Sequence, residues 1–297
     1  MPGINNIWVC PYCNTPFEDG FHCRSCDIKF PVNGDQPDLR VTMPVTIKLE
    51  YNYTPEFGYF PWDNVGLEWP SANTGITRQG DWQEVEWQML QAVPKADKSQ
   101  VALDIGCGMD RQRFKGGLQM LGYESVGVDI TGPAPDAHAD AHCLPFKNET
   151  FDLIMSSAVF EHLKNPYVAM KELYRVAKPD AKIIMSIAYN EPFHISYFHH
   201  SPLAAHELFV SNNIQPDRFV ISKDWNSFSS NLYMGYAGTY MPPFLQKLIS
   251  RSIMGYSLMP AIIKGMLKGD SKHIKNAKMA FARSHSGIVG IIAHKKG

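Results

Sequence analysis

The sequence predicts an α/β protein built on a seven-stranded, mainly parallel sheet with helices on both faces, and three observations carry that prediction. Short apolar, β-rich runs alternate with segments of helical periodicity from about residue 81 onward, joined by short links. The first run, Val101–Ile105, leads into Gly106-Cys107-Gly108, and the second, Val126-Gly-Val-Asp-Ile130, sets an acid 21 residues past Gly108. Strand, glycine turn, helix, strand and acid are the parts of a nucleoside-binding crevice. A chain of 297 residues with 44% hydrophobic content holds one full α/β core plus additions.

The elements follow in order. Asp81-Trp-Gln-Glu84 is a capping box opening a helix to about Val93, with Val85, Met89 and Ala92 on one face. Then come the strand 101–105, a helix over 111–121, a strand at 125–130, a short segment near 137–140 and a strand at 151–156. A helix at 166–177, a strand at 182–188, a helix Leu203–Asn212, a strand Arg218–Ser222 and a last strand Ile288–His294 complete the series.

Between the last two strands, about residues 226–285, lies a helical insertion with two apolar stripes: Leu245, Leu248, Ile249 and Ile253, then Ile262, Ile263, Met266 and Leu267. Lys247, Arg251, Lys264 and Lys268 lie off those stripes. The first expectation is a cap whose stripes face inward over an acceptor pocket. The second is that the basic helices, residues 243–283, lie in an anionic membrane interface. The uncharged run Ser252–Ile263 is 12 residues long and contains Pro260, too short to cross a bilayer.

Cys10-Pro-Tyr-Cys13 and Cys23-Arg-Ser-Cys26 form two C-x-x-C pairs in the first 40 residues, a spacing that lets two thiolate knuckles converge on one tetrahedral zinc. Four thiolates close the metal's shell, so the expected zinc is structural. The competing reading is a redox pair or disulfides. Residues 41–80 then read as an ordered connection, with aromatics Tyr51, Tyr53, Phe57, Tyr59, Phe60, Trp62 and Trp69 that either pack on the main domain or close over its pocket. Residues 81–297 form the main domain.

The net charge of −1 conceals an asymmetry, because residues 241–297 hold ten Lys or Arg and a single acid, Asp270. That end of the sequence suits an anionic surface, either nucleic acid or lipid, or a solvated helix face. With no apolar leader and no spanning stretch, the expected location is cytoplasmic, with peripheral membrane contact as the variant.

The glycine loop distinguishes between cofactors. A dinucleotide fingerprint needs a third glycine three positions after Gly108, beneath the pyrophosphate, and that position is Arg111. S-adenosylmethionine has a ribose and an adenine but no phosphate, so two glycines and the acid Asp129 suffice, with Asp104 facing the methionine ammonium.

The segment from Ala139 to Leu163, with Asp140-x-x-x-Leu-Pro-Phe146 and Glu161-His-Leu163, followed by Glu172-Leu-Tyr-Arg-Val-Ala-Lys-Pro-Asp180, resembles the class I S-adenosylmethionine-dependent methyltransferases. The resemblance covers roughly residues 81–224 plus the last strand. It implies a Rossmann-like sheet whose final strand inserts antiparallel, with Asp104, Gly106 and Gly108 at the methionine end, Asp129 and Ile130 at the ribose, and Asp140 and Ala141 at the adenine. Many members have glycine where Asp110 stands, so this loop departs from the pattern. The N-terminal segment is similar to zinc ribbons that precede methyltransferase domains, including some that act on ribosomal RNA.

Ligands in such sheets bind beyond the strands' carboxyl ends, which places Ser157–His162 and Tyr189–His200 around the transferred methyl group. His194, His199 and His200 are the candidates for a general base or acceptor-orienting donor, with Glu161 or His162 opposite. The leading reading is a methyltransferase for a small-molecule, glycan or lipid-linked acceptor, at oxygen. Two alternatives stand beside it, an RNA base methyltransferase and a non-catalytic partner protein. The ribbon's five acids against three Lys or Arg through Arg40 make a poor face for phosphate.

Overall fold

The computed structural model describes every residue except 1–5, 49–61, 73, 79–83, 98, 192–194, 223–224 and 235–239. Its centre is an eight-stranded mixed sheet: β1 Val65–Gly66, β2 Val101–Ile105, β3 Glu124–Asp129, β4 Ala137–His138, β5 Phe151–Ser157, β6 Ala177–Ala188, β7 Ile214–Ile221 and β8 Ile288–Lys295. The spatial order is β1-β7-β8-β6-β5-β2-β3-β4. Strand β8 runs antiparallel between β6 and β7, as the resemblance implies.

The expectation of seven strands needs one correction. Strand β1 comes from the connection and pairs in parallel with Phe219 and Val220 of β7. Two residues have no readable period, so this strand is made by its partner rather than announced by its sequence.

Period-two alternation divides the core between the sheet's faces. Leu103 and Ile105 pack on one side with Phe151, Phe160, Leu173 and Phe209, while Ala102 packs on the other with Leu153 and Met155. The helices α1 Glu84–Ala92 and α2 Lys115–Met120 cover the second face through Met89, Leu90 and Leu118. The first face takes α3 Pro166–Val176 and α4 Pro202–Val210. Each of these two begins with a proline after a side-chain cap, Asn165 for α3 and Ser201 for α4.

Strand β7 begins at Ile214 rather than Arg218, with a register shift between Pro216 and Arg218, and two further boundaries differ from expectation for local reasons. Helix α2 begins at Lys115 rather than 111, because Arg113 N–H closes the glycine loop onto Cys107 O at 3.0 Å. Strand β6 begins at Ala177 rather than 182, with a register shift between Ala177 and Lys182 around Pro179 and the left-handed Asp180.

The cysteine ribbon is built into the same core. Its two hairpins pair His22–Cys23 with Ile28–Lys29 and Val32–Asn33 with Gln36–Pro37. Backbone bonds then stitch it to the sheet edge: Val9 N–H to Pro145 O, Lys147 N–H to Ile7 O, and Leu39 N–H to His138 O, all 2.8–2.9 Å. Trp8 lies on Phe146, ring centroids 4.8 Å apart, so the Leu-Pro-Phe segment is where the ribbon docks. Arg175 holds that segment from beneath, donating to Leu144 O and Phe146 O.

In the connection, Trp69 is buried against β8, where a Cβ on Gly290 would meet its ring at 2.2 Å. That ring packs on the main domain. The expected lid aromatics Tyr51, Tyr53, Phe57, Tyr59 and Phe60, the Trp62 ring, and the box residues 81–83 lie outside the described residues.

The insertion forms α5 Ser227–Met234, α6 Pro243–Leu267 and α7 Ser271–His285. It is anchored where β6 ends: Tyr189 N–H and Asn190 N–H both reach Gly287 O, and the Asn190 side chain donates to Ser284 O. Phe228 of α5 stacks on Phe281 and His285 of α7. The inward-facing stripe expected of this cap is only partly so, because Leu248, Ile263, Met266 and Leu267 are exposed.

Candidate active site

The loop after β2 needs its glycines. Gly106 and Gly108 have φ of +70° and +105°, and a Cβ would meet Val159 at 2.2 Å from the first and Arg111 O at 2.6 Å from the second. The residue in the third-glycine position thus fills with its carbonyl the space that a packed helix start would occupy. Asp129, at the end of β3, latches the loop: one carboxylate oxygen accepts from Gly108 N–H at 3.1 Å and the other from Ile130 N–H at 2.7 Å.

Asp104 is buried on β2, and neither carboxyl oxygen has a hydrogen-bond partner among the described residues. Burial and the neighbouring Asp129 carboxylate push its pKa up to about 8. A buried carboxyl group without a donor is costly, and a cationic ligand group would relieve that cost.

Asp140 follows β4 and is already engaged. Its Oδ1 accepts from His142 Nδ1 at 2.6 Å and from His142 N–H at 2.9 Å, while His142 Nε2 accepts from Asn165 N–H at 3.1 Å. The second contact requires Nε2 to carry no proton, so the proton sits on Nδ1. Burial raises the Asp140 pKa, and the His142 bonds more than reverse it, leaving it below the usual range. Ala141 beside it is buried. Ile130 is exposed, as a residue lining an open crevice would be.

At the acceptor side the structure separates residues that the sequence left equivalent. Ser157, ending β5, bonds Ser186 of β6 at 3.0 Å between hydroxyls. Glu161 is fully buried with neither oxygen in hydrogen-bond geometry to any described residue, and burial pushes its pKa up to about 8 although the amides of Glu161 and Ala188 lie near. Its carbonyl accepts from Tyr197 N–H and Phe198 N–H at 2.7 and 3.1 Å, so this residue also carries the histidine loop. His162 is exposed and bonds Ile195 O through Nδ1 at 3.1 Å. His199 is exposed and bonds Ser196, whereas His200 is buried with Nδ1 unpartnered among the described residues and its pKa lowered by burial and by His199. His194 lies outside the described residues.

The four cysteines come together. The Sγ atoms of Cys10, Cys13, Cys23 and Cys26 all lie within 4.8 Å of one another. A tetrahedral zinc with bonds of about 2.3 Å has sulfurs roughly 3.8 Å apart, so the donor set fits such an ion. The residue after each pair, Asn14 and Asp27, takes a left-handed conformation that turns the chain back. Burial raises the Cys10 pKa to about 12, while Thr15 and the neighbouring thiols bring Cys13 down to about 6.

Sequence reasoning missed a link between ribbon and crevice. Gln36 Nε2 donates to Pro135 O at 2.6 Å and Gly132 O at 3.3 Å, and Arg40, paired with Asp38, donates to Ile130 O at 2.9 Å. These contacts span 90 to 99 residues of sequence. They buttress the segment that follows Asp129 from behind.

Residues 103–185, which hold both the glycine loop and Glu161, match the family model of a methyltransferase domain. That stretch of the chain is a methyltransferase domain. Over 65 residues this chain is 37% identical to a demethylmenaquinone methyltransferase of Streptomyces griseus, covering 22% of this chain and 28% of that one. Over 129 residues it is 29% identical to a malonyl-[acyl-carrier protein] O-methyltransferase of Marinomonas, covering 39% of this chain and 48% of that one. It therefore spans less than half the length of these two curated relatives. Among solved structures, Haemonchus contortus phosphoethanolamine N-methyltransferase 2 with bound S-adenosyl-L-methionine superposes with a TM-score of 0.43 at 14% identity, over 72% of this chain and 52% of that one.

Proposed function

We propose that this protein is a methyltransferase that transfers the methyl group of S-adenosylmethionine to an oxygen of a small-molecule or lipid-linked acceptor. The observation that carries the cofactor half is Asp104. Its carboxyl group is buried with no donor among the described residues at the foot of a loop latched by Asp129, and a ligand ammonium would satisfy it. In this reading Gly106 and Gly108 admit the methionine end, Asp129 and Ile130 the ribose, and Asp140, Ala141 and Ser157 flank the adenine and sulfonium. Bound S-adenosylmethionine supplies an activated methyl group.

The chain's own work is alignment and exclusion of water, and alignment alone can supply roughly 7–11 kcal/mol. A hydroxyl acceptor also needs its proton taken. We assign that role to His200, whose burial lowers its pKa and so favours the neutral ring that can accept a proton. Glu161, holding its own proton, would donate to the acceptor. One relative, a malonyl-[acyl-carrier protein] O-methyltransferase, supports oxygen, and with the demethylmenaquinone methyltransferase it supports a small-molecule or carried acceptor. Residues 1–40 act as a structural zinc ribbon held by Cys10, Cys13, Cys23 and Cys26, 41–80 as connection, and 226–285 as the cap.

Methyl-labelled S-adenosylmethionine incubated with the protein and separate lipid, water-soluble and RNA extracts tests the acceptor. Label in the lipid or small-molecule fraction is expected. Nuclease-sensitive label would install the RNA reading instead, and failure to bind S-adenosylhomocysteine would leave a non-catalytic partner. His200→Ala should lower kcat/KM about 10²–10⁴-fold at unchanged cofactor affinity.

A further inference from the structure

The longest helix of the molecule turns an apolar face to solvent. Along α6, Phe244, Leu248, Tyr256, Met259, Ile263 and Met266 are at least half exposed, Tyr256 at 77%. At 100° per residue these six positions fall within an arc of about 120° on a helix roughly 37 Å long, an arc they share with the exposed Ser252 and Gly255. Opposite its first half the helix is packed, with Gln246 and Ser250 buried, while further along Ser257 and Lys264 are exposed on that side. Six large side chains gathered on one solvent-facing arc mark a contact surface.

The charges around the stripe specify its partner. Helices α6 and α7 contain no acidic residue, and Arg251, Lys264, Lys268, Lys272, Lys275 and Lys278 are all exposed. Apart from Asp270 in the turn between them, every charged residue of this helix pair is a cation, and an exposed apolar arc on such a basic pair is the pattern of a helix lying in the interface of an anionic bilayer. No described helix is long and apolar enough to cross a membrane, so the contact is with the surface. The insertion is anchored at Tyr189 and Asn190, where β6 enters the acceptor side.

We propose that the outward face of α6, with the cations of α7 packed beside it, docks on an anionic lipid surface and sets the acceptor pocket against it. The docking stands on exposure and charge. Only its purpose, delivery of a lipid-linked acceptor, rests on the function proposed above.

The test is sedimentation of the full chain with vesicles of phosphatidylcholine alone or mixed with phosphatidylglycerol. Binding is expected only to the mixed vesicles, and added salt should weaken it. Two variants probe the two halves of the surface: Tyr256→Glu with Ile263→Glu, and Lys272→Glu with Lys275→Glu and Lys278→Glu. Each should reduce partitioning about tenfold or more with an unchanged melting temperature.

No binding to the mixed vesicles, or binding that both variants retain, overturns the proposal. So does a stable dimer that Tyr256→Glu with Ile263→Glu dissociates, since a second copy would then cover the stripe. RNA binding lost with the lysines but kept without the stripe overturns it as well. Vesicle binding without any binding of S-adenosylhomocysteine would leave the docking intact and remove the enzymatic reading.

Discussion

The ribbon at one end of the chain and the helical insertion at the other are both additions to the same sheet, and they are attached in opposite ways. The ribbon gives its apolar side chains to the main core and its backbone to the sheet edge, with Trp8 on Phe146 and Leu39 against His138. It carries an excess of two acids through Arg40. The insertion is tied near its base, at Gly287 and Ser284, and carries exposed apolar and basic surface along α6 and α7. One addition completes the fold and the other is available to something outside it. Burial separates the two roles where composition alone does not.

The contrast can be broken first at the cysteine cluster. If the ribbon is part of the core, Cys23→Ser or strong chelation should cost several kcal/mol and lower the melting temperature of the whole molecule in one transition. A separate low-temperature step with the main transition unmoved would make the ribbon an appendage.

Glu161 lies where the sheet meets the histidine loop, and its effect is smaller. Its native carboxyl group keeps a proton up to about pH 8, whereas the unfolded chain releases it in the ordinary carboxylate range. The native state therefore binds more protons between those values, so stability should fall as pH rises toward 8 and level off above it. Asp104 acts in the same direction. Glu161→Gln should flatten part of that slope, gaining a few kcal/mol near pH 8, as denaturant midpoints across pH would show. An unchanged slope would mean that Glu161 is ionised in the native protein.

Smaller again is the ribbon's grip on the cofactor segment. Gln36→Ala removes two donors to Gly132 and Pro135, and titration calorimetry should find S-adenosylhomocysteine bound about threefold to tenfold more weakly at unchanged vesicle binding. Unaltered affinity would confine the ribbon to stability. Smallest is the cap, where Met266→Gln should move stability by no more than about 0.5 kcal/mol, since that side chain is 71% exposed. A large loss would show that the stripe is covered in the protein itself.

What the sequence made legible was local. The turn Gly106–Gly108, the acid at Asp129 and the two cysteine pairs are short motifs whose spacing carries their geometry, and the structure brings each set together. Hidden were the contacts of Gln36 and Arg40, which join distant segments and leave no trace in any window of the chain. Neighbouring histidines were also inseparable, because burying His200 while exposing His199 depends on which way a loop hangs from Glu161 O. For α6 the periodicity of the stripe was visible but its direction was not. An amphipathic pattern fixes an arc on a helix and says nothing about whether protein or lipid lies against it.

The position of β8 carries a consequence for synthesis. This last strand separates β6 from β7, so the sheet is cut in two until residues 288–295 have left the ribosome. Until then the edge of β6, including Ile183, Met185 and Ile187, has no neighbour on that side, and an open apolar edge recruits other chains. The nascent chain needs shelter for the time taken to make the roughly 100 residues between the two strands, on the order of 5–20 s at 5–20 residues per second. A truncation ending before Ile288 should therefore aggregate rather than fold as a smaller enzyme.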